Sequence, residues 1–369
     1  KASAATSYDL WVAGTQVTSD TLSGSGWKYE PETNTLVLNG FSYGSGGYGY
    51  RLEYDSGLKA DVYAFIYVKD NNKKAMNLNV RIEGAKSTVG DSSLTAYEAV
   101  SAGDDYYATY YGIYNRYGNV TITGSAKLYI HTNKFGILAN NITFDGCTGL
   151  LDLRAYSASV YATNTFTVKN GSKIEAYCGF GGKQTHNSPI YAAKTINIYD
   201  SSEVNSTIER AEDATDEGVS GIYCGGTINV YGGKLSGTSY AQGKKPSTSQ
   251  PVSIGIRTSV LNVSGGGVVE AYVQQGSGQK SYLNSGGICE RYAESGTINI
   301  KGSGIVRIGI EKKNPDGETP LYGNFNVADG LKGIATAIRS DNYERYLEYT
   351  SYEHEGVFVK MVDFSKKLS

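Results

Sequence analysis

Apolar and polar residues alternate in short bursts along this chain, and the bursts recur. The pattern apolar, any, apolar, any, Gly or Asp is met as "VRIEG" from Val80, "VTITG" from Val120, "ITFDG" from Ile142 and, with one residue added, "FTVKNG" from Phe166. It returns as "INIYD" from Ile196, "INVYG" from Ile228, "LNVSG" from Leu261 and "INIKG" from Ile298. Strict alternation over a short run predicts a strand with one buried face. In most copies a second apolar residue follows eight positions after the anchor: Leu128, Leu150, Ile174, Val204, Val269 and Val306, with Leu235 at seven. Five to seven residues ahead of most anchors stands another short strand, as in "GIYN" at Gly112, "PIYA" at Pro189 and "GIYC" at Gly221. Each repeat therefore reads strand, turn, strand, turn, strand, loop.

Three short strands cannot bury a shared apolar face alone, whereas stacked repeats close it into a continuous column. The predicted fold is all-β: a right-handed parallel β-helix with three strands per rung, the hand following from the crossover rule. From Val120 the anchor spacing runs 22, 24, 30, 32, 33 and 37 residues. Nearly all of that growth is assigned to the loop after the third strand, which piles long loops along one edge at roughly 4.8 Å per rung. Residues 1–70 are expected to form an N-terminal cap, with "LWVAGTQV" and "GWKYEPETNTLVLNGF" as β-hairpins, the second turning at Pro31 to Thr35. The repeats then occupy 71–310 and a C-terminal cap 311–369, where Tyr343, Tyr346, Tyr349 and Tyr352 are expected to pack on the last rung.

Composition and charge sharpen this picture at four points. Glycine is 47 of 369 residues and proline only 6, which suits tight turns rather than disordered linkers. The formal net charge of −2 gives no footprint for nucleic acid or an anionic membrane. No apolar run reaches the roughly 20 residues of a membrane helix, and any leader is expected ahead of Lys1. Cys147, Cys178, Cys224 and Cys289 match no metal or disulfide framework and are read as buried free thiols.

Tyrosine is the outlier at 32, against 9 Phe and 2 Trp. Alternation places the residue after each inward apolar of the first strand on the surface, which makes a file of Tyr114, Leu138, Tyr161, Tyr191, Tyr223, Arg257 and Cys289. Tyr161, Tyr191 and Tyr223 are consecutive in it and read as a flat strip on which sugar rings could stack; ring pairing that only stabilises the sheet is the plainer reading. Tyr177, Tyr240, Tyr272 and Tyr282 are further candidate ligand contacts along the loop edge. The second-strand file, Thr121, Thr143, Thr167, Asn197, Asn229, Asn262 and Asn299, reads as a structural ladder.

Catalytic candidates are thin. A glycoside hydrolase needs two flanking carboxylates, and the acids on offer are the Asp104–Asp105 pair and the run Glu209, Glu212, Asp213, Asp216 and Glu217. The motifs "GHG", "RIK" and "NTD" expected of pectin-hydrolysing β-helices do not occur. Calcium is the one ion these acids leave open, although a solvated acidic loop is the simpler reading. His131, His186 and His354 fall on separate repeats or the cap, which argues against a metal trio.

The leader "YDLWVAGTQVTSDTLSGSGWKYEPETNTLVLNGF" and the repeated "GIY…TINVYGG" phrase resemble secreted or surface proteins of Gram-positive anaerobic bacteria. The likeness covers most of residues 8–310. The repeats are also similar to the carbohydrate-binding β-helix family of cellulolytic clostridia, whose members bind plant polysaccharides and calcium without established hydrolysis. What the resemblance implies is an extracellular or cell-surface module that binds a glycan or acts as an adhesin. The expectation is a monomer without a cofactor and without catalysis, the alternative being a polysaccharide lyase or glycoside hydrolase acting on uronans at the long-loop edge.

Overall fold

A computed structural model of the chain describes residues 4–44, 49–55, 60–91, 107–179, 188–209, 219–241, 253–275, 285–289, 297–301, 304–310, 324–327, 333–338, 344–348 and 361–367. These form a right-handed parallel β-helix. Third strands Leu128–His131, Leu151–Ala155, Lys173–Gly179, Glu203–Glu209, Lys234–Ala241, Val268–Gln275 and Ile305–Ile310 stack in parallel as one sheet. First and second strands share the other sheet. In Tyr107–Gly124, Phe135–Asp145 and Ala158–Lys169 the two run on without a break, and a register irregularity between Asn115 and Asn119 takes the place of the expected turn. From Ile190 onward the pair separates, as in Ile190–Ala192 with Thr195–Tyr199 and Val219–Cys224 with Thr227–Tyr231.

Inside the column, alternate residues of every strand meet those of the rungs above and below. Ile142, Phe166, Ile196, Ile228 and Leu261 are in register and fully buried. Phe144 and Phe166 meet edge to face at 6.0 Å and 80°, a favoured aromatic geometry. The corners are bonded as well. Asn141 donates to Asn119 Oδ1 at 2.7 Å and Asn164 to Asn141 Oδ1 at 2.8 Å, so each rung hands an amide proton to the one before.

Four details of the repeat differ from the sequence reading. The inward residue of the third strand is Leu151, in register with Leu128 and Ile174, whereas Leu150 is 39% exposed. The partner of Val120 is Leu78, and Val80 faces Ile122, so the first copy is anchored two residues earlier than "VRIEG" suggests. A further copy lies beyond Ile298: Asn324–Val327 pairs in parallel with Thr297–Ile300, with Phe325 the backbone register partner of Ile298. The third strand itself also takes up part of the growing repeat, lengthening from 4 residues at Leu128–His131 to 8 at Lys234–Ala241.

Both leading hairpins form. Ser7–Val12 pairs antiparallel with Thr15–Thr18, and Trp27–Glu30 with Thr35–Leu38 across the turn Pro31–Thr33, which Asn34 leaves at φ 49°. Parallel pairing begins within these first 70 residues: Thr35–Leu38 lies on Leu78–Ile82, and Ala60–Val68 lies beneath the strand that starts at Tyr107. At the other end Met361–Lys367 pairs antiparallel with Ile305–Ile310, covering an edge that would otherwise offer unpaired backbone groups. Tyr346 pairs through its backbone with Thr336, while Tyr343, Tyr349 and Tyr352 lie outside the described residues.

Cys147, Cys178 and Cys224 are buried free thiols. Burial pushes them up to about 11, 12 and 11 respectively, and Cys147 donates to the Ile122 carbonyl at 3.1 Å. The thiolate is the reactive form, and folded-state pKa values this high keep it scarce at any ordinary pH. All three are expected to resist a thiol reagent from neutral pH to mildly alkaline conditions in the folded protein and to react fully in denaturant, as read by peptide mass spectrometry.

Candidate functional site

The first-strand file forms as its alternation predicts. Tyr114, Leu138, Tyr161, Tyr191, Tyr223, Arg257 and Cys289 are successive in-register partners, and Tyr67 extends the file one rung below Tyr114. Its rings are not laid flat. Tyr161 and Tyr191 stack face to face at 4.3 Å and 6°, Tyr191 and Tyr223 at 4.7 Å and 3°, and the Arg257 guanidinium covers Tyr223 at 5.1 Å. Phe135 leans on Tyr161 at 4.7 Å, occupying the side left by buried Leu138. Rings on rungs about 4.8 Å apart sit at the right distance to stack on one another, like coins on edge. Their faces are therefore spent within the protein, and a ligand laid along this file meets ring edges and hydroxyls. Burial, helped by the neighbouring phenols, raises Tyr191 far above the usual phenol range and Tyr67 to about 12, so these groups stay protonated.

Tyr177, Tyr240 and Tyr272 belong to the other sheet. Tyr177 lies between Arg154 and Thr207, Tyr272 between Thr238 and Gly309, and Tyr240 between Glu209 and Gln274. The candidate tyrosines thus divide between two faces and are not gathered into one site; Tyr282 lies outside the described residues. Near Tyr177 stands a charged group that the sequence did not single out. Asp152 accepts from Arg154 Nε at 2.8 Å and has His131 Nε2 at 3.7 Å, and Arg154 lies over the Tyr177 ring at 5.8 Å. Burial works to raise the Asp152 carboxyl, but His131 and Arg154 outweigh it and hold the group below the usual range.

The second-strand face carries a different arrangement. Thr195, Asn197 and Tyr199 point outward on one rung, Thr227, Asn229 and Tyr231 on the next, then Val260, Asn262 and Ser264. The asparagines form a continuous ladder: Asn229 donates to Asn197 Oδ1 at 2.9 Å, Asn262 to Asn229 at 2.9 Å, and Asn299 to Asn262 at 2.8 Å. Each link uses one N–H, and an amide has two N–H donors and two acceptor lone pairs. Beside the ladder Tyr199 and Tyr231 stack at 5.4 Å and 23°. One rung further the aromatic position is Ser264, and the backbone turns away through Gly265. Tyr231, 38% exposed, is the one exposed tyrosine among the described residues. Its ring borders Ser264 on the next rung as a ledge: an apolar ring, the small hydroxyl that follows it in the file, and the amide ladder one outward position away. The sequence carried this signal in the variable fourth place of "INIYD", "INVYG" and "LNVSG", where Tyr, Tyr and Ser follow one another.

Among the described residues no group of three or more His, Cys, Asp or Glu could hold a metal, and no helix is long and apolar enough to cross a membrane. Asp104, Asp105, Glu212, Asp213, Asp216, Glu217, His186 and His354 lie outside the described residues, as does the side chain of Glu209. No family model, no curated protein and no solved structure matches this chain.

Proposed function

We propose that this chain is a non-catalytic, extracellular β-helix that binds a glycan as a monomer, and that the ledge of Tyr231, Ser264 and the asparagine ladder is the contact surface. The observation that carries the reading is the end of the Tyr199–Tyr231 stack at Ser264, which leaves an aromatic side open beside amides repeating at rung spacing. A sugar has an apolar C–H face and a rim of hydroxyls. The first suits the Tyr231 ring and the second suits amide groups that donate and accept at once. The resemblance of the repeats to a glycan-binding β-helix family points the same way. The hydrolase or lyase reading would draw on the acids of the long-loop edge, Glu209, Glu212, Asp213, Asp216 and Glu217, whose side chains lie outside the described residues.

Titration calorimetry against a panel of plant and host polysaccharides tests the proposal. Tyr231→Ala is expected to weaken binding roughly tenfold, about 1.4 kcal/mol, as expected for loss of an aromatic anchor, while Tyr223→Phe on the occupied stack binds as the native protein does. Binding to none of the panel, or equal binding by Tyr231→Ala, overturns it.

A further inference from the structure

Two tyrosine pairs share an unusual geometry. Tyr161 and Tyr191 lie 4.3 Å apart at 6°, and Tyr50 and Tyr67 lie 4.2 Å apart at 9°. In such a stack the two ring planes run nearly parallel at close range, and because Tyr161 and Tyr191 are register partners on neighbouring parallel strands the carbons beside their two hydroxyls lie on the same side of the stack. Those carbons carry a large share of the unpaired spin when a phenol loses an electron and a proton, and they are the open ring positions for coupling because Cβ occupies the para carbon. From the stacking we infer that Tyr161 and Tyr191 are a site of oxidative cross-linking, joined as a dityrosine when the protein meets a one-electron oxidant of the haem peroxidase and hydrogen peroxide class.

The chemistry balances without further partners. Each phenol gives one electron and one proton to the oxidant, and the two phenoxyl radicals pair their electrons in a new carbon–carbon bond ortho to both hydroxyls. The hydrogens on the joined carbons then move to the phenol oxygens and restore aromaticity. The protein has lost two hydrogens, and one hydrogen peroxide has left as two waters.

Position decides which pair reacts. Tyr191 also stacks on Tyr223, but at 4.7 Å, and the Arg257 cation over Tyr223 opposes removal of an electron from that ring. Tyr161 meets Phe135 on its other side, which has no phenol to couple. Parallel in-register pairing of Val160–Ala162 with Ile190–Ala192 holds the two rings in register. Tyr50 and Tyr67 satisfy the same geometric rule, with Trp11 leaning on both at 5.0 and 5.5 Å as a competing electron donor. The 161–191 link would tie two adjacent rungs covalently across 30 residues of sequence.

The full chain, treated with a haem peroxidase and limiting hydrogen peroxide, is expected to remain monomeric, lose two hydrogens, gain dityrosine fluorescence and melt at a higher temperature. Peptide mass spectrometry should place the link between Tyr161 and Tyr191. Tyr191→Phe and, separately, Tyr161→Phe keep the ring and its stacking, so both should fold with native circular dichroism yet lose this link. Links scattered over other tyrosines, links mainly between molecules, or a 161–191 product that forms no faster than the average surface pair would each overturn the inference.

Discussion

Phe166→Ala is expected to cost about 3–5 kcal/mol of folding stability, the range for removing a fully buried aromatic side chain. Phe166 has no exposed surface, meets Phe144 edge to face and lies in register between Ile142 and Ile196. The cavity would open at the middle of the column, where the rungs on either side are held by the backbone ladders of two sheets and cannot collapse into it. In a solenoid each rung is stabilised by its neighbours, so the loss falls on the interfaces above and below at once. A urea melt should show a lower midpoint for the variant. Hydrogen exchange should show the faster opening centred on the strands at 142–198. Phe166→Leu, which refills most of the volume, should recover the larger part of the loss. Equal melts for Phe166→Ala and the native protein would contradict the packing described here.

The second large effect comes from the backbone. Gly124 closes the strand Tyr107–Gly124 at φ 108°, and a Cβ there would collide with the carbonyl oxygen of Ile82 on the rung below. Neither group can step aside, because the Ile82 strand is itself paired on both sides. Gly124→Ala therefore combines left-handed strain with a backbone clash, and a loss on the order of 3 kcal/mol or more is expected. Gly171 provides the comparison. It also has a positive φ, 72°, but nothing lies within 4 Å of its Cβ position. Gly171→Ala should lose only the conformational part, roughly 1–2 kcal/mol, and thermal melts of the two variants separate strain from clash.

The column was legible because alternation is a strong signal: the inward Ile222, Ile228 and Val230 and the outward Tyr223 and Asn229 of "GIYCGGTINV" are where the pattern places them. Register was harder. "LNVRIEG" has apolar residues at three alternate positions, and a two-residue shift keeps every one of them on the same face, so burial alone does not distinguish Leu78 from Val80 as the anchor. "GLLDL" offers two adjacent leucines, and only the structure shows Leu151 inward and Leu150 outward. The site was less legible still. The same file of tyrosines can be a platform or a stack, and what decides is ring orientation between residues 30 and 32 apart in sequence. Where a stack ends matters more to a ligand than where it runs, and the serine that ends one occupied a place the repeat pattern leaves free.

The parallel register has a mechanical side. Its backbone hydrogen bonds join each rung to the next and so run along the axis of the solenoid, which means that a pull on the two ends loads them one rung at a time. A rung that yields releases the whole of its own repeat, from 22 residues between Val120 and Ile142 to 37 between Leu261 and Ile298. At about 3.5 Å per extended residue those releases span roughly 75 to 130 Å. Held at one end and tugged at the other, the molecule would pay out slack in unequal lengths, with the repeats that remain stacked still intact.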